Sequence, residues 1–276
     1  MLPQGTSYTI TNVEHITGAT TATNYARDYP LNAVALTPNG PYLHNPDKLV
    51  PSTVLTKTHC FGYCSDCGPE SYRPKDQDDF LQGCLRVDRP GGNEETHYAK
   101  TVPKRIVHLF RNPLDNVVSR MHLSLKKMEQ DGWTALQLSK YGTSSEGLRN
   151  WCRDRDEAHS TEEAISFSED LMELFASVPC HAEFYRYTIW HNQALTMAAD
   201  LDIPVHYIFY EDYTTNYDGT VDALLQFLDL KATHDPLAFE PGKVYTELYE
   251  DISGIARLVE AVATPETWAL VKHYFT

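Results

Sequence analysis

Short apolar runs and longer amphipathic stretches divide the chain into candidate strands and helices. Residues 53–57 (TVLTK), 106–110 (IVHLF) and 205–209 (VHYIF) are apolar runs bounded by breakers, and each reads as a buried strand. Helical patterns separate them, as a parallel α/β sheet requires. The helix after HLFR is well marked. Asn112 can cap it, Pro113 suits its first turn, and Asp115 takes the third helical position, where a carboxylate meets the positive end of the helix dipole. Leu114, Val117, Val118, Met121, Leu125 and Met128 then recur at helical spacing and give one apolar face. The same periodicity predicts a helix over 184–200 (Trp190, Ala194, Met197 and Leu201 on one side) and another over 218–229 (Val221, Leu224, Leu225, Leu228). The stretch TITNVEHITG, after residue 8, reads as a further helix.

Between these elements lie two segments without such periodicity. Residues 62–103, rich in Gly, Pro, Asp and Cys, read as a long surface excursion, and the polar stretch 140–168 as a mobile flap or insertion. Neither looks like a domain boundary, and no internal repeat or low-complexity tract is present. The expectation is one α/β domain over 1–276 with an insertion at about 62–103.

Composition narrows the class. An apolar content of 42% with mixed charge belongs to a folded globular chain. No apolar run reaches the roughly 18 residues of a membrane span, and MLPQGTSYTI shows neither the charged start nor the apolar stretch of a signal peptide. A formal charge of −15 argues against broad nucleic-acid binding, which needs a basic face. Yet from Lys104 to Lys127 there are six basic residues and one acid, Asp115, so this local segment suits a small anionic ligand.

The six cysteines are Cys60, Cys64, Cys67, Cys84, Cys152 and Cys180. CFGYCSDC with Cys84 downstream invites a zinc knuckle, but the paired C-x-x-C spacing is absent. No metal is expected. Disulfides in a secretory lumen are the favoured reading and buried thiols the alternative.

Candidate chemistry gathers where predicted strands end. In a parallel sheet, free backbone amides and helix N-termini face the crevice beyond the carboxyl ends of the strands. Arg111 stands at such an end, and Ser119 follows about two turns down the helix at 3.6 residues per turn. A planar cation and a hydroxyl suit a phosphate, although an arginine paired to a carboxylate beside a buried serine has the same pattern. LTKTH places Lys57 and His59 just past another strand. His59 has the chemistry of a general base near neutral pH, and Lys57 can stabilise charge on a transferring group. Taken alone, His59 is more simply an ordinary surface histidine or a metal ligand. GTSY at 5–8 is a small, hydroxyl-rich turn whose amides could cradle a phosphate.

With these residues assembled, the chain resembles the sulfotransferases that use 3′-phosphoadenosine-5′-phosphosulfate (PAPS). RNPLDNVVSRMH looks like their R-N-P-x-D-x-x-x-S signature, KTH like their K-T-H segment, FYEDY (209–213) like their Y-E-D segment, and GTSY like the end of the phosphosulfate loop P-K-S-G-T-T-W. All four stand in the family order. The resemblance implies a P-loop-NTPase-like parallel sheet flanked by helices and transfer of a sulfuryl group from PAPS, leaving PAP, to an acceptor hydroxyl. It implies that Arg111 and Ser119 hold the 3′-phosphate and Tyr210 lines the nucleotide site. Gly5, Thr6, Ser7 and Tyr8 would surround the 5′-phosphosulfate, His59 would take the acceptor proton, and Lys57 would steady the sulfuryl group. Sulfuryl transfer is an in-line displacement much like phosphoryl transfer, so positioning and charge stabilisation dominate.

Leu2, Pro3 and Gln4 stand where the family has Pro, Lys and Ser, so the expected loop begins part-way through and the first strand is missing or incomplete. EPGKVY (240–245) is a partial echo of a C-terminal R-K-G segment. The cysteine-rich excursion is more similar to the Golgi enzymes that act on carbohydrate or protein than to the cytosolic group, which implies a Golgi lumenal protein with any anchor upstream. Cytoplasmic placement is the alternative. Two other functions compete: an inactive relative serving as a binding module, which the eroded loop favours, and a nucleotide-dependent kinase on the same core, which the absence of G-x-x-x-x-G-K-[ST] disfavours.

Overall fold

The computed structural model describes residues 5–25, 41–43, 54–60, 76–87 and 96–276. Its elements in chain order are α1 (Gly5–Thr17), β1 (Thr21–Thr23), β2 (Tyr42–Leu43), β3 (Leu55–Lys57), α2 (Gln77–Leu85), β4 (Arg86–Val87), β5 (Thr96–His97), β6 (Ile106–Phe110), α3 (Pro113–Gln130), α4 (Ala135–Leu138), α5 (Ser145–Ser166), α6 (Glu169–Ser177), α7 (His181–Asp200), β7 (Val205–Phe209), α8 (Asp212–Thr215), α9 (Tyr217–Phe227), α10 (Ile252–Val262) and α11 (Pro265–Val271). The fold is α/β, with mixed parallel and antiparallel strand pairing and flanking helices. Two compact units are present. The first comprises Met1–Phe61, Asp76–Phe110 and Met197–Pro241; the second comprises Gly62–Lys75, Arg111–Thr196 and Gly242–Thr276.

The first unit holds the strands. β1 pairs parallel with β3 (Thr21↔Leu55 to Thr23↔Lys57) and antiparallel with β2, so the expected all-parallel sheet is mixed. β6 and β7 pair parallel in an unbroken register from Ile106↔Val205 to Phe110↔Phe209. β3 falls within the apolar run 53–57, and β6 and β7 match the runs 106–110 and 205–209. Their register sets Tyr8, Val13 and Ile16 of α1, Ile208 of β7, and Tyr213, Val221, Leu224 and Leu225 of α8 and α9 into one core, with Leu55, Val107 and Leu109 packed against it. Burial of this kind stabilises by about 1.5–3 kcal/mol per large apolar side chain. Within 62–103, the described residues form α2 and the antiparallel pair β4–β5.

The second unit is helical. Asn112 caps α3 as expected, its Oδ1 accepting from the Leu114 amide at 2.9 Å, with Pro113 in the first turn. α7 falls where periodicity placed it, as does α9 of the first unit. The stretch 140–168 does not form a flap. Most of it is α5, capped by Ser144 and buried through Leu148, Trp151, Cys152, His159 and Glu163. The stripe escaped pattern reading because two of its buried members are polar, and they are buried beside charged groups of α7.

Disulfides join Cys60 to Cys84 in the first unit and Cys152 to Cys180 in the second, which settles these four cysteines; Cys64 and Cys67 lie outside the described residues. Among the described residues, no helix is long and apolar enough to cross a membrane.

Candidate active site

The first unit brings the start of α1 and the end of β3 together. α1 opens at Gly5 with no acidic residue in its first turn, so the positive end of its dipole is uncompensated there. The first turns of a helix leave amides unpaired within the helix, and such amides attract anions. Thr6 presents a buried hydroxyl with no hydrogen-bond partner among the described residues. Lys57, the last residue of β3, donates from Nζ to Ser7 Oγ at 3.2 Å. β3 reaches this point because the parallel ladder with β1 continues through Asn24, whose amide donates to the Lys57 carbonyl at 3.0 Å. A cation, the Ser7 hydroxyl and a helix N-terminus thus meet, and groups of these kinds have the chemistry to hold an anion.

Tyr8 contributes differently from Thr6 and Ser7. Its side chain is buried in the core, its hydroxyl hydrogen-bonded to Tyr217 Oη (2.7 Å) and donating to the Leu237 carbonyl (2.8 Å). Burial, then the bond to Tyr217, pushes this phenol far above its ordinary range. As the fourth residue of α1, Tyr8 also has its amide engaged within the helix, so it contributes to the core rather than to anion binding. Tyr210 follows β7, its amide extending the β6–β7 ladder to the Phe110 carbonyl (2.8 Å). The rings of Tyr8 and Tyr210 both pack edge-on to Phe239, at 4.8 and 5.3 Å.

His59 is two residues past Lys57 and exposed. Its amide donates to Tyr25 Oη at 2.6 Å, and the two rings are 5.5 Å apart. Cys60 next to it is buried and carries the disulfide to Cys84 on α2.

In the second unit, Arg111 precedes the α3 cap and is half-buried, its carbonyl accepting from Tyr187 Oη at 2.8 Å. Ser119 lies on α3, also half-buried. Asp115, buried in the first turn, accepts the Tyr245 amide at 2.7 Å, and Tyr249 Oη donates to the Leu114 carbonyl at 2.7 Å. The segment around 243–249 is thereby tied to the start of α3. Lys243 is close enough to His122 that its charge, after burial, helps depress the imidazole's pKa. His122 is one turn beyond Ser119. Lys243 was not among the candidates read from the chain, since residues 231–245 follow no helical or strand period; only the partial echo EPGKVY pointed to it.

The predicted residues therefore fall into two sets. Thr6, Ser7 and Lys57 meet in the first unit, with His59 on the same loop, whereas Arg111 and Ser119 share the α3 region of the second.

The family model of the sulfotransferase domain matches residues 97–245, more than half of the chain, and this span includes Arg111, Ser119 and Tyr210. No curated protein and no solved structure matches the chain. Residues 97–245 contain the RNPLD helix start and the Y-E-D strand end in the described positions, and the chain belongs to the sulfotransferase domain family.

Proposed function

We propose that this chain moves a sulfuryl group from PAPS to a hydroxyl of a carbohydrate or protein acceptor. The observation that carries the reading is the Lys57 ammonium at 3.2 Å from Ser7 Oγ in the first turn of α1. When bound, PAPS supplies an activated sulfuryl group. Lys57, the Thr6 and Ser7 hydroxyls and the first amides of α1 hold its anionic oxygens and stabilise charge that spreads over them during transfer. His59, exposed on the adjoining loop, takes the acceptor hydroxyl's proton, a role worth about 10²–10⁴-fold in rate. Arg111 and Ser119 bind the 3′-phosphate, and Lys243 adds a third polar group to that end. Tyr210 belongs to the nucleotide side of the first unit. The disulfides Cys60–Cys84 and Cys152–Cys180 support residence in an oxidising compartment such as the Golgi lumen.

Calorimetric titration with PAP, with adenosine 5′-phosphate as control, tests the donor site. Arg111→Ala should weaken PAP by about 10- to 100-fold, the worth of one charge-assisted contact, and leave the control unchanged. His59→Ala should abolish transfer from labelled PAPS to a panel of desulfated glycosaminoglycans and tyrosine peptides while PAP binding persists. Wild-type chain that binds PAP no better than adenosine 5′-phosphate would sink the reading.

A further inference from the structure

Backbone hydrogen bonds hold Lys57, His59 and Cys60 on the described part of the loop that carries the imidazole. The Lys57 carbonyl accepts the Asn24 amide (3.0 Å), the His59 amide donates to Tyr25 Oη (2.6 Å), and the Cys60 amide donates to Thr58 Oγ1 (3.0 Å). Cys60 itself adopts φ of 54°, the left-handed region that a side chain makes unfavourable. Such a conformation persists only where the surroundings impose it.

Two contacts with α2 impose it. The disulfide joins Cys60 to Cys84, and the Cys60 carbonyl oxygen lies so close to Gly83 that an added Cβ there would overlap it. α2 is in turn pinned to the end of β1, because Asn24 Nδ2 donates to the Cys84 carbonyl at 2.8 Å. Asn24 thus holds both the exit of β3 and the end of α2. The outcome is a buried, covalently anchored Cys60 directly beside an exposed His59 whose ring lies against Tyr25. An exposed imidazole on an ordinary loop would sample several rotamers, and a general base must hold its nitrogen within hydrogen-bond reach of one proton.

We infer that the Cys60–Cys84 disulfide and Tyr25 act as positioning groups for His59, holding its imidazole at a fixed point beyond β3 so that it serves as an oriented base. This rests on the reading of His59 as that base. Neither group touches the reacting atoms; both act through the backbone of residues 58–60. The inference ties turnover to the oxidised state of one particular cysteine pair, separately from the Cys152–Cys180 bridge.

The test is imidazole relaxation by NMR on the full chain, the His59 resonance assigned through His59→Gln. The wild-type His59 ring should show an order parameter of about 0.85, that of rigid structure, and Cys60→Ser/Cys84→Ser should bring it below about 0.6. Tyr25→Phe keeps the ring but removes the acceptor of the His59 amide, and Gly83→Ala keeps the disulfide but displaces Cys60. Both should lower the order parameter with PAP affinity unchanged, and they decide the matter if the double variant fails to fold. In transfer assays on the acceptor panel, the same variants should lose tenfold or more in kcat while KM for PAPS stays within twofold. A wild-type ring already below about 0.6, or variants with wild-type order, overturns the inference. So does a parallel loss of PAP affinity, which would mark the bridge as merely structural. Retained transfer by His59→Ala would instead refute the assignment of the base, a result the relaxation data do not depend on.

Discussion

Glu183 is the most demanding charge in the second unit, and replacing it by glutamine gives a sharp test of how that unit is held. Its carboxylate on α7 is 1% exposed and faces three guanidinium groups. Arg120 of α3 contacts Oε2, while Arg155 of α5 and Arg186 of α7 lie 3.3 and 3.7 Å from Oε1. Burial by itself would push this carboxyl up, and Arg120, Arg186 and Arg155 outweigh it, holding the pKa down to about 2. Against an ordinary value of 4.5, that shift corresponds to about 3 kcal/mol of stability at pH 7. The contribution is complete above pH 4.5 and is lost as the pH falls toward 2. A second route gives a similar size: removing one member of a buried ion cluster typically costs about 3–5 kcal/mol, because the partners stay buried without compensation. Arg186, 2% exposed, has little access to water as a substitute. Glu183→Gln should therefore lower the unfolding free energy by about 3 kcal/mol in urea at pH 7, with an unchanged denaturant slope. The gap between wild type and variant should shrink on acidification toward pH 3. A loss under about 1 kcal/mol, or a gap indifferent to pH, would mean that the three arginines are satisfied without this carboxylate.

Two other perturbations probe the helical unit. Asp156 of α5 accepts the Cys180 and Ala182 amides at the start of α7 (2.9 and 3.1 Å) and lies 3.5 Å from His181, which contacts Glu163 at 2.9 Å. Burial pushes the Asp156 carboxyl up to about 6, so the folded state keeps a proton that the unfolded chain has already released, and this group favours folding increasingly as the pH falls through 6. Burial also opposes the His181 imidazolium, but the Glu163 bond and the Asp156 charge prevail and raise its pKa, a contribution likewise lost as the pH rises. Relative to Asp156→Asn, wild type should gain about 2 kcal/mol between pH 8 and pH 4.5 in urea unfolding, and a constant difference would refute the assignment. Asp115→Ala removes the acceptor of the Tyr245 amide; hydrogen exchange at Tyr245 should then accelerate about tenfold or more, and an unchanged rate would show that the segment is held elsewhere.

Chain pattern by itself determined the elements whose signal is local. The apolar runs IVHLF and VHYIF became β6 and β7 with the expected bounds, and Asn112, Pro113 and Asp115 marked the start of α3 because capping depends only on neighbouring residues. KTH, RNPLD and YED likewise each stand at or just past the end of a strand, β3, β6 and β7, as the apolar runs before them implied. What only the tertiary structure decided depends on partners distant in sequence. α5 read as a polar insertion because the identity of His159 and Glu163 as buried residues is set by charged groups of α7. Tyr8 read as a phosphate-loop residue, yet its ring is drawn into the core by Tyr213, Tyr217 and Phe239, more than two hundred residues away. The Lys57–Ser7 contact, the tie of Tyr245 to Asp115 and the pairing of Cys60 with Cys84 join segments between which no local period runs. Patterning selects which face of an element is buried; which distant side chains meet there follows from the packing of those faces against one another.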